Sequence, residues 1–158
     1  PGTCGPRGWS MNAVLEEVPF GWDDGFLVGY PSMDNTHREF VDCLTALLQA
    51  SDAQLPAALD AFAAHAQAHF DEEDTWMRAS NFPPRDCHID EHAKVLASVS
   101  EVREALQQEG DVALCRELAL ALQDWFPGHV QHLDSALATW MVQRTHGGRP
   151  VLFRRRVA

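Results

Sequence analysis

Seven residues of this chain have the types and the spacing of a site for two metal ions. Two pairs lie four residues apart, and residues four apart on an α-helix share one face, about 6 Å apart along the axis. Imidazole suits iron, zinc, copper and nickel, and seven ligands are too many for one ion. We expect two adjacent ions with bridging oxygens. The candidate ligands are His37, His69, Glu73, His88, His92, His129 and Asp134.

The last two candidate ligands are spaced differently. Asp134 follows His129 by five residues, which rotates its Cα by about 140° around an α-helix. Such a carboxylate is awkward as a second terminal ligand of one ion, so we expect it to reach sideways and bridge two. His65, one turn before His69, could be an outer partner, and His132 could compete as a ligand. Both are expected instead to be boundary histidines.

Four amphipathic helices must position these ligands, because the ligands continue apolar seams. In the second helix the seam advances in alternating steps of four and three residues, the period of helices that pack along their length. That seam is Leu55, Leu59, Phe62, Ala66, His69, Glu73 and Trp76. Three further seams begin at His37, His88 and Cys115, and no segment has a strand pattern. The sequence therefore predicts an all-α fold, an antiparallel up-down-up-down four-helix bundle with an N-terminal arm.

Polar and proline residues mark the ends and one irregularity of the helices. Asp52 and Asp111 are expected to cap the second and fourth helices. Pro127 stands two residues before His129, inside the fourth helix. Proline there removes a backbone hydrogen bond and clashes with the preceding turn. We therefore expect a kink or bulge near Gln123–Phe126, which could shift His129 or admit water.

The arm before the first helix, over residues 12–33, is rich in glycine and proline and is expected to contain turns rather than a long helix. Its aromatic residues Trp22, Phe26 and Tyr30 are expected to anchor it on the bundle. The chain has 158 residues, the size of one domain with a real core.

Three segments are expected along the chain. Residues 1–10 are expected to be a remnant of expression, because Met11 looks like a natural start. Residues 11–146 are expected to be the single bundle domain, and residues 147–158 a basic tail.

Composition and motifs exclude several classes of function. The net charge of -11 argues against a nucleic-acid partner, and no apolar run is long enough to span a bilayer. A zinc-protease His-Glu-x-x-His, a Gly-x-Ser-x-Gly nucleophile and a glycine-rich phosphate loop are all absent. No residue is therefore assigned a catalytic role.

The cysteines indicate a reducing compartment, so we expect a cytoplasmic protein. They are widely spaced, without a C-x-x-C pair, and Cys43 and Cys115 are expected to be small core residues. Cys87 adjoins His88 and could offer a sulfur ligand, but a residue at a helix start is the stronger expectation.

These motifs resemble those of the hemerythrin family, in particular its bacterial single-domain members. The resemblance covers about residues 20–142, and all seven ligand positions hold the expected residue type. The matching motifs are Val28-Gly29-Tyr30 with Met33-Asp34-x-x-His37, His69-Phe70-x-x-Glu73, His88-x-x-x-His92 and Trp125-Phe126-x-x-His129-x-x-x-x-Asp134.

The resemblance implies two iron ions in a non-haem centre, bridged by an oxo or hydroxo group, that binds O₂ reversibly. It implies that one iron is fully coordinated, by His88, His92 and His129. It implies that His37 and His69 hold the other iron, which keeps an open position for O₂. By the same resemblance Glu73 and Asp134 bridge the irons, and O₂ takes up two electrons from the irons and a proton from the bridge.

Four aromatic residues next to the ligands are expected to line a dry O₂ pocket: Phe40, Phe70, Trp125 and Phe126. Phe40 and Phe126 stand where the family more usually has aliphatic residues. Plain core packing is the alternative role for each of the four, and the two roles are compatible.

The function expected from the resemblance is reversible O₂ binding by a carrier, store or scavenger, and not an enzyme. Three alternatives stay open: a sensor of O₂ or redox state, a di-iron enzyme that handles peroxide or nitric oxide, and an iron donor or repair protein with labile iron. Carboxylate-rich ligation favours enzymes of that kind, whereas this ligand set is rich in histidine. The residues alone would also accept zinc or manganese, and they indicate no protein partner.

Overall fold

The computed structural model describes residues 19–145, which form an all-helical bundle with no strand in this range. The four long helices are α1 (Pro31–Gln49), α2 (Leu55–Ala79), α3 (Arg85–Glu109) and α4 (Val112–His129). A short 3₁₀ turn, Asp24–Phe26, precedes them, and a π-helical turn, Val130–Asp134, joins α4 to α5 (Ser135–Thr145). The expected remnant at residues 1–10 and tail at 147–158 lie outside the described residues.

Each long helix packs chiefly against two others, so the four close into a ring. The second helix contacts the first and third, and the fourth contacts the third and first. The connections are short, which makes sequential helices antiparallel. The predicted up-down-up-down four-helix bundle is thereby confirmed. In the described range no helix is long and apolar enough to cross a membrane.

One of the two predicted helix caps is present and the other is wrong. The Asp111 carboxylate accepts a hydrogen bond from the Leu114 N–H at 3.0 Å and caps α4. The second helix instead begins after Gln54, which makes no side-chain cap bond. Asp52 pairs with Arg116 on α4. The Asp52 carboxylate, which the sequence pattern predicted as a local cap, therefore forms a long-range ion pair instead.

No bulge lies at Gln123–Phe126, where a kink or bulge was predicted, because α4 is helical through this segment to His129. Proline's fixed φ is helical, so Pro127 can remain within the helix although one hydrogen bond is missing. The irregularity follows the proline. In the π-helical turn, the Ser135 N–H donates to the Val130 carbonyl, five residues earlier. The bulge therefore follows the proline, at Val130–Asp134, rather than preceding it.

Three layers make up the core along the bundle axis. At the end where α1 meets α2, the core is apolar, with Leu47, Leu55, Leu106 and Cys115 among its buried residues. A smaller apolar cluster fills the other end: Met33, Met77, Phe82, Leu137 and Ala138. A layer of buried histidines and carboxylates lies between them. We call this the polar layer, and the first cluster the apolar end.

The arm packs through aromatic contacts onto the bundle at the level of the polar layer. The rings of Phe26 and Phe126 pack edge to face, with their centroids 5.1 Å apart. The rings of Tyr30 and Trp76 pack in the same way, with centroids 5.4 Å apart. Trp22 packs against Phe26 at 5.8 Å. The three aromatic residues predicted as anchors therefore all make ring contacts.

Asp34 fixes the end of the arm. Its carboxylate oxygens accept hydrogen bonds from the N–H groups of Val28 at 2.8 Å and Gly29 at 3.2 Å. Gly29 has a φ of 84°, a left-handed conformation that favours glycine. These bonds hold the turn directly before α1, which carries the first candidate ligand.

Candidate metal centre

All seven predicted ligands meet in the polar layer, and each is at most 4% exposed. Every long helix contributes: His37 comes from α1, the next two from α2 and the following two from α3. His129 is the last residue of α4, and Asp134 ends the π-helical turn. Charged and polar groups this deeply buried need partners.

The ligand atoms form two clusters, in each of which all atoms lie within 4.8 Å of one another. The first cluster has five residues: Glu73, His88, His92, His129 and Asp134. The second cluster has three: His37, His69 and Glu73. We name them the three-histidine side and the two-histidine side. Because Glu73 belongs to both, the clusters are adjacent halves of one site.

Asp134 faces both sides with different oxygens. Its Oδ2 lies 3.0 Å from His37 Nε2 on the two-histidine side. Its Oδ1 lies 3.0 Å from His88 Nε2 and 3.2 Å from His129 Nε2 on the three-histidine side. The carboxylate therefore spans the two sides, and the π-helical turn explains how it does so. The i→i+5 spacing of that turn brings Asp134 onto the same face as His129.

Glu73 divides its oxygens in the same way. Its Oε2 contacts His69 Nε2 and lies 3.7 Å from His37 Nε2. Its Oε1 lies 3.5 Å from His88 Nε2 and 3.6 Å from His92 Nε2. Both carboxylates therefore present one oxygen to each half of the site.

The donor set fits a pair of metal ions. The Nε2 atoms of His92 and His129 face each other at 3.2 Å. Two nitrogens bound at right angles to one ion at about 2.1 Å would lie about 3 Å apart. Several buried candidate ligand atoms lie within ion-pair distance of one another but make no hydrogen bond of acceptable geometry among the described residues: His37 Nε2, Glu73 Oε1, His88 Nε2 and both oxygens of Asp134. Bound cations would satisfy them.

Opposite charges dominate the electrostatics of the polar layer. Burial lowers the pKa of His37 and of His88, but the carboxylates of Asp134 and Glu73 outweigh burial and raise both pKa values to about 9. Burial and the neighbouring Asp134 raise the pKa of Glu73, but the histidines, first of all His69, lower it to about 2. In the absence of metal the layer therefore holds ion pairs, and metal binding must release protons.

Two buried phenylalanines cover the two-histidine side. The rings of Phe40 and Phe126 stack at 4.7 Å, with an angle of 14° between their planes. Phe126 meets His37 edge-on at 5.8 Å, and Phe40 meets His69 edge-on at 5.8 Å. Both rings are at most 1% exposed, so they form an apolar cover over this side.

The other two predicted pocket residues contact the three-histidine side. Phe70 stacks on His92 at 4.1 Å, with nearly parallel rings. Trp125 stacks on His129 at 4.3 Å and is half-buried. Both therefore support imidazole rings directly.

Two carboxylates next to the site were not foreseen from the sequence. Asp74 Oδ1 lies 2.7 Å from His92 Nδ1, and Glu91 Oε1 lies 2.9 Å from His129 Nδ1. Each directly neighbours a candidate ligand in the sequence, but acidic residues on helices are usually solvated. Only the packing of α2 on α3, and of α3 on α4, gives them partners.

The two alternative ligands, His132 and Cys87, and the alternative outer partner His65 stay outside both clusters. His65 is half-buried and lies 3.8 Å from Glu39, while His132 and Cys87 are exposed. Their placement agrees with the expectation of boundary and helix-start residues.

The fold and the site define a four-helix-bundle protein with a buried metal centre. Over residues 28–141 the chain matches the family model described as the Hemerythrin HHE cation binding domain. The chain therefore belongs to the hemerythrin family, as its motifs indicated.

Named relatives match over most of the chain. It is 43% identical over 123 residues to the bacteriohemerythrin of Ralstonia nicotianae, which covers 78% of this chain and 89% of that relative. It is 27% identical to a hemerythrin of Sipunculus nudus and 26% identical to the myohemerythrin of Riftia pachyptila, each over 73% of this chain and 88% of the relative. No solved structure was found to match.

Proposed function

We propose that the polar layer holds two iron ions and that the protein uses them to bind O₂ reversibly. The observation that carries this proposal is the division of the carboxylate oxygens. Glu73 and Asp134 each present one oxygen to the three-histidine side and one to the two-histidine side. Carboxylates placed in this way suit a bridged pair of ions.

The different numbers of histidines on the two sides support different roles for the two ions. His88, His92 and His129 would hold one ion, which the bridges complete. His37 and His69 would hold the other, with one protein ligand fewer and room for O₂. Iron at these positions would supply the electrons that O₂ takes up on binding. The relatives' hemerythrin names support iron and O₂ as the ligands.

The surroundings of the two-histidine side favour binding over reaction. Phe40 and Phe126 enclose it with apolar rings, which would limit the access of the water and protons that promote irreversible release of the reduced O₂. Neutral imidazoles outnumber carboxylates among the ligands, which moderates electron donation to O₂. We therefore propose an oxygen-binding protein rather than an enzyme, with a role in O₂ transport, storage or scavenging.

A cytoplasmic location is part of the same proposal. Cys43, Cys87 and Cys115 are free thiols among the described residues, as is usual in a reducing compartment. Fractionation of the native host, followed by antibody detection, would test this location. Recovery with an exported marker protein would overturn it.

The test of O₂ binding is a visible spectrum of the anaerobically reduced, iron-loaded protein through repeated cycles of air and O₂ removal. We expect an iron-dependent absorption band that appears with air and disappears when O₂ is removed. His129→Ala should abolish the band, while His132→Ala should retain it, because His132 is an exposed neighbour outside the clusters. Immediate, irreversible oxidation of the wild-type protein would contradict the proposal.

A further inference from the structure

Two carboxylates outside the seven ligands contact the far ring nitrogens of two histidines. Asp74 faces Nδ1 of His92, and Glu91 faces Nδ1 of His129, at 2.7 and 2.9 Å. Both histidines turn Nε2 into the polar layer. A carboxylate at Nδ1 keeps the proton on that nitrogen, and Nε2 then keeps its lone pair for a metal.

Glu91 also ties a second group to the same histidine. Its Oε1 accepts a hydrogen bond from Trp125 Nε1 at 2.8 Å, and the indole ring stacks on His129 at 4.3 Å. The imidazole of His129 is thus held at its edge by the carboxylate and on its face by the indole. Because Glu91 lies on α3 and the other two residues lie on α4, this contact also joins the two helices beside the site.

These supports are confined to one half of the site. His92 and His129 both belong to the three-histidine side, whose third histidine, His88, has no hydrogen-bond partner at Nδ1 among the described residues. On the two-histidine side, the Nδ1 atoms of His37 and His69 have no hydrogen-bond partner among the described residues. Their rings meet the apolar rings of Phe126 and Phe40 instead.

We propose that Asp74 and Glu91 are positioning residues that make the three-histidine side the tighter of the two metal sites, so that this side fills first and releases its ion last. The inference rests on the proposed two-metal centre and does not depend on O₂ binding. A carboxylate hydrogen-bonded to a ligating imidazole fixes the ring's tautomer and orientation and raises its basicity. Loss of such a partner typically costs about 10- to 100-fold in metal affinity.

The test is the kinetics of iron release. The protein is loaded with Fe²⁺ under anaerobic conditions, and an excess of a coloured ferrous chelator reports each ion as it leaves. We expect a fast phase from the two-histidine side and a slow phase from the three-histidine side. His69→Ala should remove the fast phase and leave the slow one, which assigns the two phases.

Neutral isosteres then test the two carboxylates. Asp74→Asn and Glu91→Gln should each accelerate the slow phase by about 10- to 100-fold and leave the fast phase unchanged. Matched controls are Glu72→Gln and Asp90→Asn, which remove the same charge from exposed neighbours on the same helices. Both controls should release iron as the wild-type protein does.

A milder variant separates positioning from general loosening. Trp125→Phe removes the indole donor to Glu91 but keeps an aromatic ring over His129, so it should accelerate the slow phase less than Glu91→Gln does. Far-ultraviolet circular dichroism of each loaded variant verifies the fold. A changed fast phase, equal acceleration in the controls, or an unchanged slow phase in Asp74→Asn and Glu91→Gln would overturn the inference.

The failures of the two proposals are distinguishable. A wild-type protein that binds one ion, or releases both in a single phase, would overturn this inference. Two-phase release with the predicted variant effects, together with irreversible oxidation in air, would support this inference and overturn O₂ binding alone.

Discussion

At the end of the bundle where α1 meets α2 the core is wholly apolar, whereas the layer around Glu73 and Asp134 consists of buried histidines and carboxylates. Leu47 and Leu55 are fully buried in the apolar end, and removal of their surface from water stabilises the fold directly. The polar layer has seven ligand side chains as deeply buried, and burial of polar groups opposes folding unless they find partners.

Stability and metal binding are expected to come from different layers of the bundle. The apolar end and the small cluster around Met33 and Met77 enclose the polar layer from both directions. We expect these two clusters to hold the helices in register without help from the candidate ligands. The polar layer can therefore consist of histidines and carboxylates, although their burial lowers the stability of the metal-free protein.

The largest effect should come from the carboxylate that the two clusters share. We expect Glu73→Ala to reduce bound iron from two ions per chain to one, because Glu73 is the residue shared by both ligand clusters. The two-histidine side would then keep only His37, His69 and one oxygen of Asp134. The measurement is the iron content of the anaerobically loaded, desalted protein. Glu72→Ala, its exposed neighbour, is the control, and two ions retained by Glu73→Ala would contradict the assignment.

A rise in pH should increase the metal affinity of the polar layer and decrease the stability of the metal-free protein. Burial lowers the pKa of His37 and His88, but Asp134 and Glu73 outweigh it and raise both pKa values to about 9. Each proton that a metal displaces raises the apparent affinity about tenfold per pH unit, up to about pH 9. In the metal-free protein the same raised pKa values stabilise the fold fully below pH 6.5, and this contribution is lost as the pH rises through about 9.

Two titrations check this prediction. Competition with a chelator at about pH 7 and about pH 8 gives the Fe²⁺ affinity, which should rise with pH. Denaturant unfolding of the metal-free protein across the same range and up to about pH 10 should show a falling free energy of unfolding. An Fe²⁺ affinity that is independent of pH would show that metal binding displaces no protons from these histidines.

A cavity in the apolar end should cost stability without changing metal content. Leu47→Ala removes a fully buried side chain and should lower the free energy of unfolding by about 2–5 kcal/mol. Leu120→Ala is the matched control, since Leu120 is 57% exposed, and it should change stability by less than about 0.5 kcal/mol. Denaturant unfolding and iron analysis give both readouts. Loss of iron from Leu47→Ala under conditions in which the variant is fully folded would show that the apolar end and the polar layer are not independent.

The smallest effect should come from Pro127. Since α4 remains helical up to His129, Pro127→Ala should restore one N–H without moving the ligand and should leave the rate of oxidation in air unchanged. Gly128→Ala is the control, because an added Cβ there meets nothing within 4 Å. A marked change in the oxidation rate of Pro127→Ala alone would show that the proline sets the geometry of the π-helical turn.

Periodicity was enough to predict the four helices and the ring in which they pack. The spacing of apolar residues within each helix indicates which face is buried, and this spacing involves only residues that are close in the sequence. The cap at Asp111 was predicted for the same reason, because its partner Leu114 lies three residues away. Asp52 was assigned wrongly because its partner, Arg116, lies on another helix.

The candidate ligands were predictable as a set, but their arrangement was not. The five-residue step from His129 to Asp134 looked unfavourable on a regular helix, and the sequence did not indicate the π-helical turn that brings Asp134 inward. Asp74 and Glu91 gave no local signal, since their histidine partners lie 18 and 38 residues away. Contacts that only packing creates could not be read from spacing.

The most direct measurement is a crystal structure of the iron-loaded protein with anomalous scattering recorded at the iron edge. We predict two iron positions, each about 2.0–2.2 Å from one oxygen of Glu73 and one oxygen of Asp134. Three histidine nitrogens should complete one position, and two should bind the other. A single iron position in the polar layer, or two positions that do not share these carboxylates, would contradict a bridged pair.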